Sequence, residues 1–193
     1  PRAAGARGPG AGAQEGRASS TTIANAVENL LDKQFGRGSY VEAYVGNYFY
    51  FRPGVLDRIR RDRALVEAIE SALLSTRGVD RVYWRDQLTS TGATADEMLT
   101  LSRRSYVPDR SGDLYVILKR DWVTPATEAT HGSPYDYDRR VPLVFLGGGI
   151  AGGRFTDEAS PADVAPTLAA LVGITMPQAD GRALAPVAAG PRP

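Results

Sequence analysis

The sequence predicts an α/β protein in which a compact α+β layer precedes a shorter strand–loop–helix stretch. Three observations predict it. Helical and strand periodicities alternate between residues 19 and 118, a polar loop over 124–140 interrupts them, and a proline-opened helix signal follows at Ser160.

The elements follow in order. Residues 1–16 are dominated by Ala, Gly, Pro and Arg and carry too little apolar side chain to order themselves, so they read as a flexible segment. Ser19 to Thr22 is a cluster of N-cap residues, after which Ile23, Val27, Leu30 and Leu31 recur at helical spacing until Gly36. Tyr40 to Val45 alternates in period two, and Gly46-Asn47 is a hairpin signal before the aromatic strand Tyr48 to Phe51. Pro53 opens one long helix carrying Leu56, Ile59, Val66, Ile69 and Leu73, which stops before Gly78. Val79 to Trp84 reads as a strand, Thr94 to Arg104 as a helix and Leu114 to Leu118 as a buried strand, giving the order α-β-β-α-β-α-β. Beyond the loop, Pro142 to Leu146 is a short apolar strand closed by Gly147-Gly148-Gly149. Ser160-Pro161-Ala162-Asp163 then supplies an N-cap, a first-turn proline and an acid at the third position of a helix that stops at Gly173. Strand, loop and capped helix at this scale suggest the edge of an α/β sheet.

Composition narrows the function. Lysine plus arginine number 23 against 22 aspartates and glutamates, and no basic stripe stands out, so the chain has no nucleic-acid-binding footprint. No cysteine is present, which removes disulfides, zinc fingers and cysteine nucleophiles. No apolar run is long enough for a membrane span. His131 is the single histidine, and by its surroundings alone it is an ordinary loop side chain.

Its neighbours change that reading. Thr130-His131-Gly132-Ser133-Pro134-Tyr135-Asp136-Tyr137-Asp138, followed by Val141-Pro142-Leu143-Val144-Phe145, resembles the C-terminal signature of the alkaline phosphatase superfamily. The type I phosphodiesterase and nucleotide pyrophosphatase-like phosphatases are the group it is most similar to. Ser160 to Leu168 resembles the helix that follows in that family, and Asp180-Gly181-Arg182 its closing turn. The resemblance is strong over roughly 112–184 and weaker back to about 17.

What the resemblance implies is a phosphoric ester hydrolase, acting on mono- or diesters, with a threonine or serine nucleophile and two zinc ions held by aspartates and three histidines. Two cations about 4 Å apart can meet the charge on both the attacking and the leaving oxygen. The fold implied is the C-terminal part of an alkaline-phosphatase-like sandwich, a central sheet flanked by helices. Residues 17–112 would be an inserted α+β module beside the substrate entrance, 113–185 the last part of the catalytic domain and 186–193 a frayed tail. In that family the nucleophile and most ligands precede the matching portion, including an Asp-His-Gly motif ahead of the flexible segment. No catalytic residue is therefore expected here; His131 alone matches a ligand of that family and is the expected metal ligand, one of the three or four donors zinc needs. Asp136 and Asp138 are the candidates to orient it, although Tyr-Asp pairs also cap turns through Asx bonds.

The expectation is thus the C-terminal portion of a longer, metal-dependent phosphatase or phosphodiesterase, periplasmic or secreted by resemblance and inactive alone. By itself it would leave strands 114–118 and 142–146 without sheet neighbours. Alternatives are a sulfatase- or phosphomutase-like branch, or a non-catalytic binding module derived from the enzyme. Thr130 reads as structural, Arg140 stands where relatives often carry histidine, and the triple glycine lacks the lysine of a phosphate loop. Tyr44, Tyr48, Phe49 and Tyr50 read as cross-strand core pairs rather than base-stacking platforms.

Overall fold

A computed structural model describes residues 16–124, 131–150 and 152–188, apart from the side chains of Pro186 and Ala188. The expected flexible segment, save Gly16, lies outside the described residues, as does Thr130. Two compact units divide the chain after Arg139, and each is taken by itself.

The first unit is built on a four-stranded antiparallel sheet. Helix α1 (Ser20–Phe35) starts where Ser19 caps it, accepting from the Thr22 N–H, and stops at Gly36 with a φ of 88°. Strands β1 (Val41–Val45) and β2 (Tyr48–Phe51) close through Gly46 and Asn47, both left-handed at φ 57° and 64°, as a type I′ hairpin requires. Strands β3 (Val79–Trp84) and β4 (Leu114–Leu118) complete the sheet in the order β1-β2-β4-β3.

Strand β4 is therefore paired on both edges, with Tyr115 opposite Tyr48 on one side and Tyr83 on the other. The expectation that residues 114–118 lack neighbours is corrected here: their partners lie within the same unit. Every residue of β4 is buried, and its alternation serves two layers. Leu114, Val116 and Leu118 join the core under α1 and α3, while Tyr115 and Ile117 join a second core with Leu88, Leu99 and Tyr106. A strand covered on both faces has no polar alternation, which is why its sequence is an unbroken apolar run.

The single long helix read from residue 53 is in fact two. Helix α2 (Val55–Arg60) ends at Arg61, and α3 (Arg63–Ser75) begins afresh with Asp62 as its cap. The Asp62 carboxylate accepts from the Leu65 N–H at 3.1 Å and from the Gln34 amide at 2.9 Å. Its extended backbone breaks the helix, while the apolar spacing runs across the break undisturbed. A short α4 (Arg85–Thr89), absent from the sequence reading, precedes α5 (Glu97–Ser105), whose cap is Asp96.

In the second unit, Ser160 and Asp163 form a reciprocal capping box over a 3-10 turn, Pro161–Asp163, and α7 (Val164–Leu171) follows. The Asp163 carboxylate also accepts from the Arg182 N–H at 2.8 Å, so the start of this helix and the chain near residue 182 meet on one side chain. Gly181 permits the approach, since a Cβ there would lie 2.2 Å from the Ala162 carbonyl oxygen. Pro142 to Leu146, by contrast, forms no strand: no ladder partner exists for it among the described residues, and Val144 and Leu146 are 81% and 97% exposed. Nor does any strand of an α/β sheet edge occur after Leu118 among the described residues. Apolar spacing reports what a segment could bury, not whether a neighbour is there to bury it.

The backbone N–H groups of Arg182 and Ser160 hold the Asp163 carboxyl below its ordinary pKa. A depressed carboxyl stabilises the fold above the unfolded pKa, about 3.9, and that contribution is lost as pH falls through the folded value. Asp163→Asn should remove this dependence. Circular dichroism between pH 5 and pH 2, wavelengths set on helix, should show a flatter acid transition in the variant, and superimposable profiles would refute the assignment.

Candidate functional site

His131 and its loop belong to the first unit, at one end of the sheet. Three pieces of chain meet there: the β1–β2 turn at Gly46 and Asn47, the segment Lys119 to Thr124 beyond β4, and the loop from His131 to Asp138. They enclose a cleft of about 320 Å³, and the exposed His131 lines it.

Tyr135 anchors the loop. Its ring is buried in the second core, and its hydroxyl lies 3.0 Å from the Leu118 carbonyl and 3.2 Å from an Asp80 carboxylate oxygen. Burial, with Asp80 adding to it, pushes this phenol up to about 12, so the hydroxyl stays a proton donor. Helix α6 (Asp136–Arg139) is one turn long and starts from that anchor, the Asp138 N–H donating to the Tyr135 carbonyl at 3.1 Å. From the far side, the Arg120 guanidinium covers the stacked rings of Tyr135 and Tyr137 at 5.1 and 5.4 Å and pairs with Asp136 at 2.6 Å. That guanidinium holds the Asp136 carboxyl below its usual range, though both groups are exposed and such a pair is weak in water.

The two aspartates thus do different things. Asp138 lines the cleft, and its carboxylate accepts from the Ser133 N–H at 2.6 Å, closing the loop two residues beyond His131. Asp136 turns outward to Arg120 and does not line the cleft. The sequence motif offered both as orienting groups with equal force, because spacing alone cannot say which way a one-turn helix faces.

Other groups at the cleft had no signal of their own. Asn47 was legible as a turn residue, but its side chain also receives the Tyr44 hydroxyl at 3.4 Å. Trp122 follows β4 with no periodicity to place it. Ser133 carries the most unexpected feature: its hydroxyl oxygen is buried and has no hydrogen-bond partner.

A metal ion does not fit the described residues by themselves. No three His, Asp or Glu side chains among them are grouped so as to hold one, and His131 has beside it one carboxylate, already engaged by Ser133. A zinc ion needs three or four donors. Gly147-Gly148-Gly149 forms a turn, with Gly149 left-handed at φ 76°.

Comparison with known proteins gives the site its context. No protein-family model matches the chain. It is 37% identical over 132 residues to alkaline phosphatase PhoD of Zymomonas mobilis, covering 62% of this chain and 23% of that protein. It is 32% identical over 148 residues to alkaline phosphatase PhoK of a Sphingomonas species, covering 70% of this chain and 26% of PhoK. The crystal structure of wild-type alkaline phosphatase PafA superposes with a TM-score of 0.65 at 25% identity, over 83% of this chain and 31% of PafA. The chain therefore spans about a quarter of the length of the curated relatives it matches. Fold and sequence agree in relating the chain to the alkaline phosphatase superfamily.

Proposed function

We propose that this chain is the C-terminal portion of a metal-dependent phosphoric ester hydrolase, in which His131 supplies one ligand to a zinc ion. The supporting observation is the placement of His131 at the mouth of a cleft, on a loop fixed from both sides, in a relative of proteins named alkaline phosphatases. The other ligands and the nucleophile come from outside the described residues, which by themselves do not gather a donor set. Zinc, when bound, supplies a Lewis acid for the phosphoryl group. This chain contributes the mount: Tyr135 and Asp138 tie down the loop that carries His131, and the fold of residues 17–112 forms one flank of the entrance. Phosphate monoesters and diesters are the substrate class, and a periplasmic or secreted setting accompanies it. Among the described residues no helix is long and apolar enough to cross a membrane.

The test uses the complete gene product. Stripped with a chelator it should release no inorganic phosphate from an aryl phosphate, and zinc should restore release. The 193-residue chain alone should stay inactive under both conditions. Hydrolysis that is indifferent to chelation would sink the proposal, as would zinc-dependent turnover by the chain alone.

A further inference from the structure

The cleft beside His131 has more structure than a mount for one ligand requires. Its walls are aromatic: Tyr44, Tyr115, Trp122 and Tyr137 all line it. Its polar groups do not suit a phosphate. Lys119 and Asp138 line it together with opposite charges, so the cleft has no net positive field, and a carboxylate would repel a dianion. Tyr44 is pushed well above its ordinary pKa by burial and stays a neutral phenol. A volume of about 320 Å³ lies at the small end of ligand pockets. A closed cavity of roughly 150 Å³ suffices for a benzene ring, so one ring with a substituent fits.

The Ser133 hydroxyl adds an independent sign. A buried hydroxyl without a partner costs free energy in the free protein, and that cost is recovered when a ligand atom meets it. Ser133 lines this cleft, two residues from His131.

We propose that the cleft is the subsite for the organic group of the ester, taking a single aromatic ring against Trp122 and Tyr137 and giving the Ser133 hydroxyl to a polar atom of that group. This rests on the reading of His131 as a ligand beside the reacting phosphorus. The consequence is a preference for aryl over small alkyl phosphates. Tyr137 and Ser133 are the specificity-determining residues.

Tyr137→Leu and Ser133→Ala separate the possibilities. Tyr137 is 46% exposed, so its loss leaves the core intact, and Ser133→Ala removes one atom that makes no bond. In the complete zinc-loaded gene product, kcat/KM for phenyl phosphate relative to methyl phosphate should fall roughly 3–10-fold in Tyr137→Leu, the range of one aromatic contact. Phenylphosphonate should weaken as a competitive inhibitor by the same factor, while inorganic phosphate inhibits as before. Ser133→Ala should lower kcat/KM for 4-nitrophenyl phosphate relative to methyl phosphate by about 3-fold or more. Unchanged ratios in an enzyme that hydrolyses both esters would overturn the subsite and leave the metal assignment standing. A parallel fall for both esters with loss of bound zinc would also overturn it, because the residues would then only support the His131 loop. A parent without zinc-dependent hydrolysis of either ester would take the subsite down with the proposed function.

Discussion

Replacing His131 with alanine in the complete gene product is expected to lower turnover by well over 100-fold and to deplete bound zinc. In the proposed reading the imidazole is one of at most four protein donors to a zinc ion, and this chain has no other histidine to replace it. Changes in groups that merely orient a ligand cost roughly 10–100-fold, and loss of the ligand itself should exceed that range. Asp138→Asn is the control within the same loop. The amide oxygen can still accept from the Ser133 N–H, now without charge, so the turn survives in weakened form and the loss should stay inside the smaller range. Asp136→Asn, which loosens an exposed pair with Arg120, should do less than either. Folding should be indifferent to His131→Ala, because the side chain is exposed. Metal analysis and steady-state kinetics on the three variants give the ranking. Full zinc occupancy and near-parental turnover in His131→Ala would make it an ordinary loop histidine.

How much of this was legible in the sequence depends on whether the physics is local. The Ser160 to Asp163 cap was readable because a cap acts within one turn, and the structure adds that the same carboxylate catches Arg182. The Gly46-Asn47 turn was readable for the same reason. Asp62 was not, because an apolar stripe continues through a break made by one side chain's choice of hydrogen bond. Residues 142–146 and 114–118 show the other limit. Both are apolar runs of five, yet one is doubly paired and the other has no partner among the described residues. The difference lies in other segments of chain, where no local pattern can record it. The candidate site divides in the same way. His131 was singled out by its motif, whereas Trp122 and the Ser133 hydroxyl became visible only once three distant segments were placed around one cleft.

Trp84→Ala should cost the first unit about 3–5 kcal/mol, as loss of a fully buried aromatic does. The side chain is 1% exposed at the end of β3, stacked at 6.4 Å on Phe51 and covered by the Arg60 guanidinium at 5.4 Å from its ring. Its indole N–H donates to the Glu70 carboxylate at 2.6 Å, linking β3 to α3 over the core. Trp84→Phe divides the two contributions. It keeps a ring against Phe51 but leaves a half-buried carboxylate without its donor, which by itself costs roughly 1–3 kcal/mol. Urea unfolding followed by far-ultraviolet circular dichroism measures both, and an unchanged slope on denaturant identifies the shift as one of stability. Packing predicts a clear order, with the alanine variant less stable than the phenylalanine variant. Equal losses would mean that the hydrogen bond to Glu70, not the buried ring, joins this helix to the sheet.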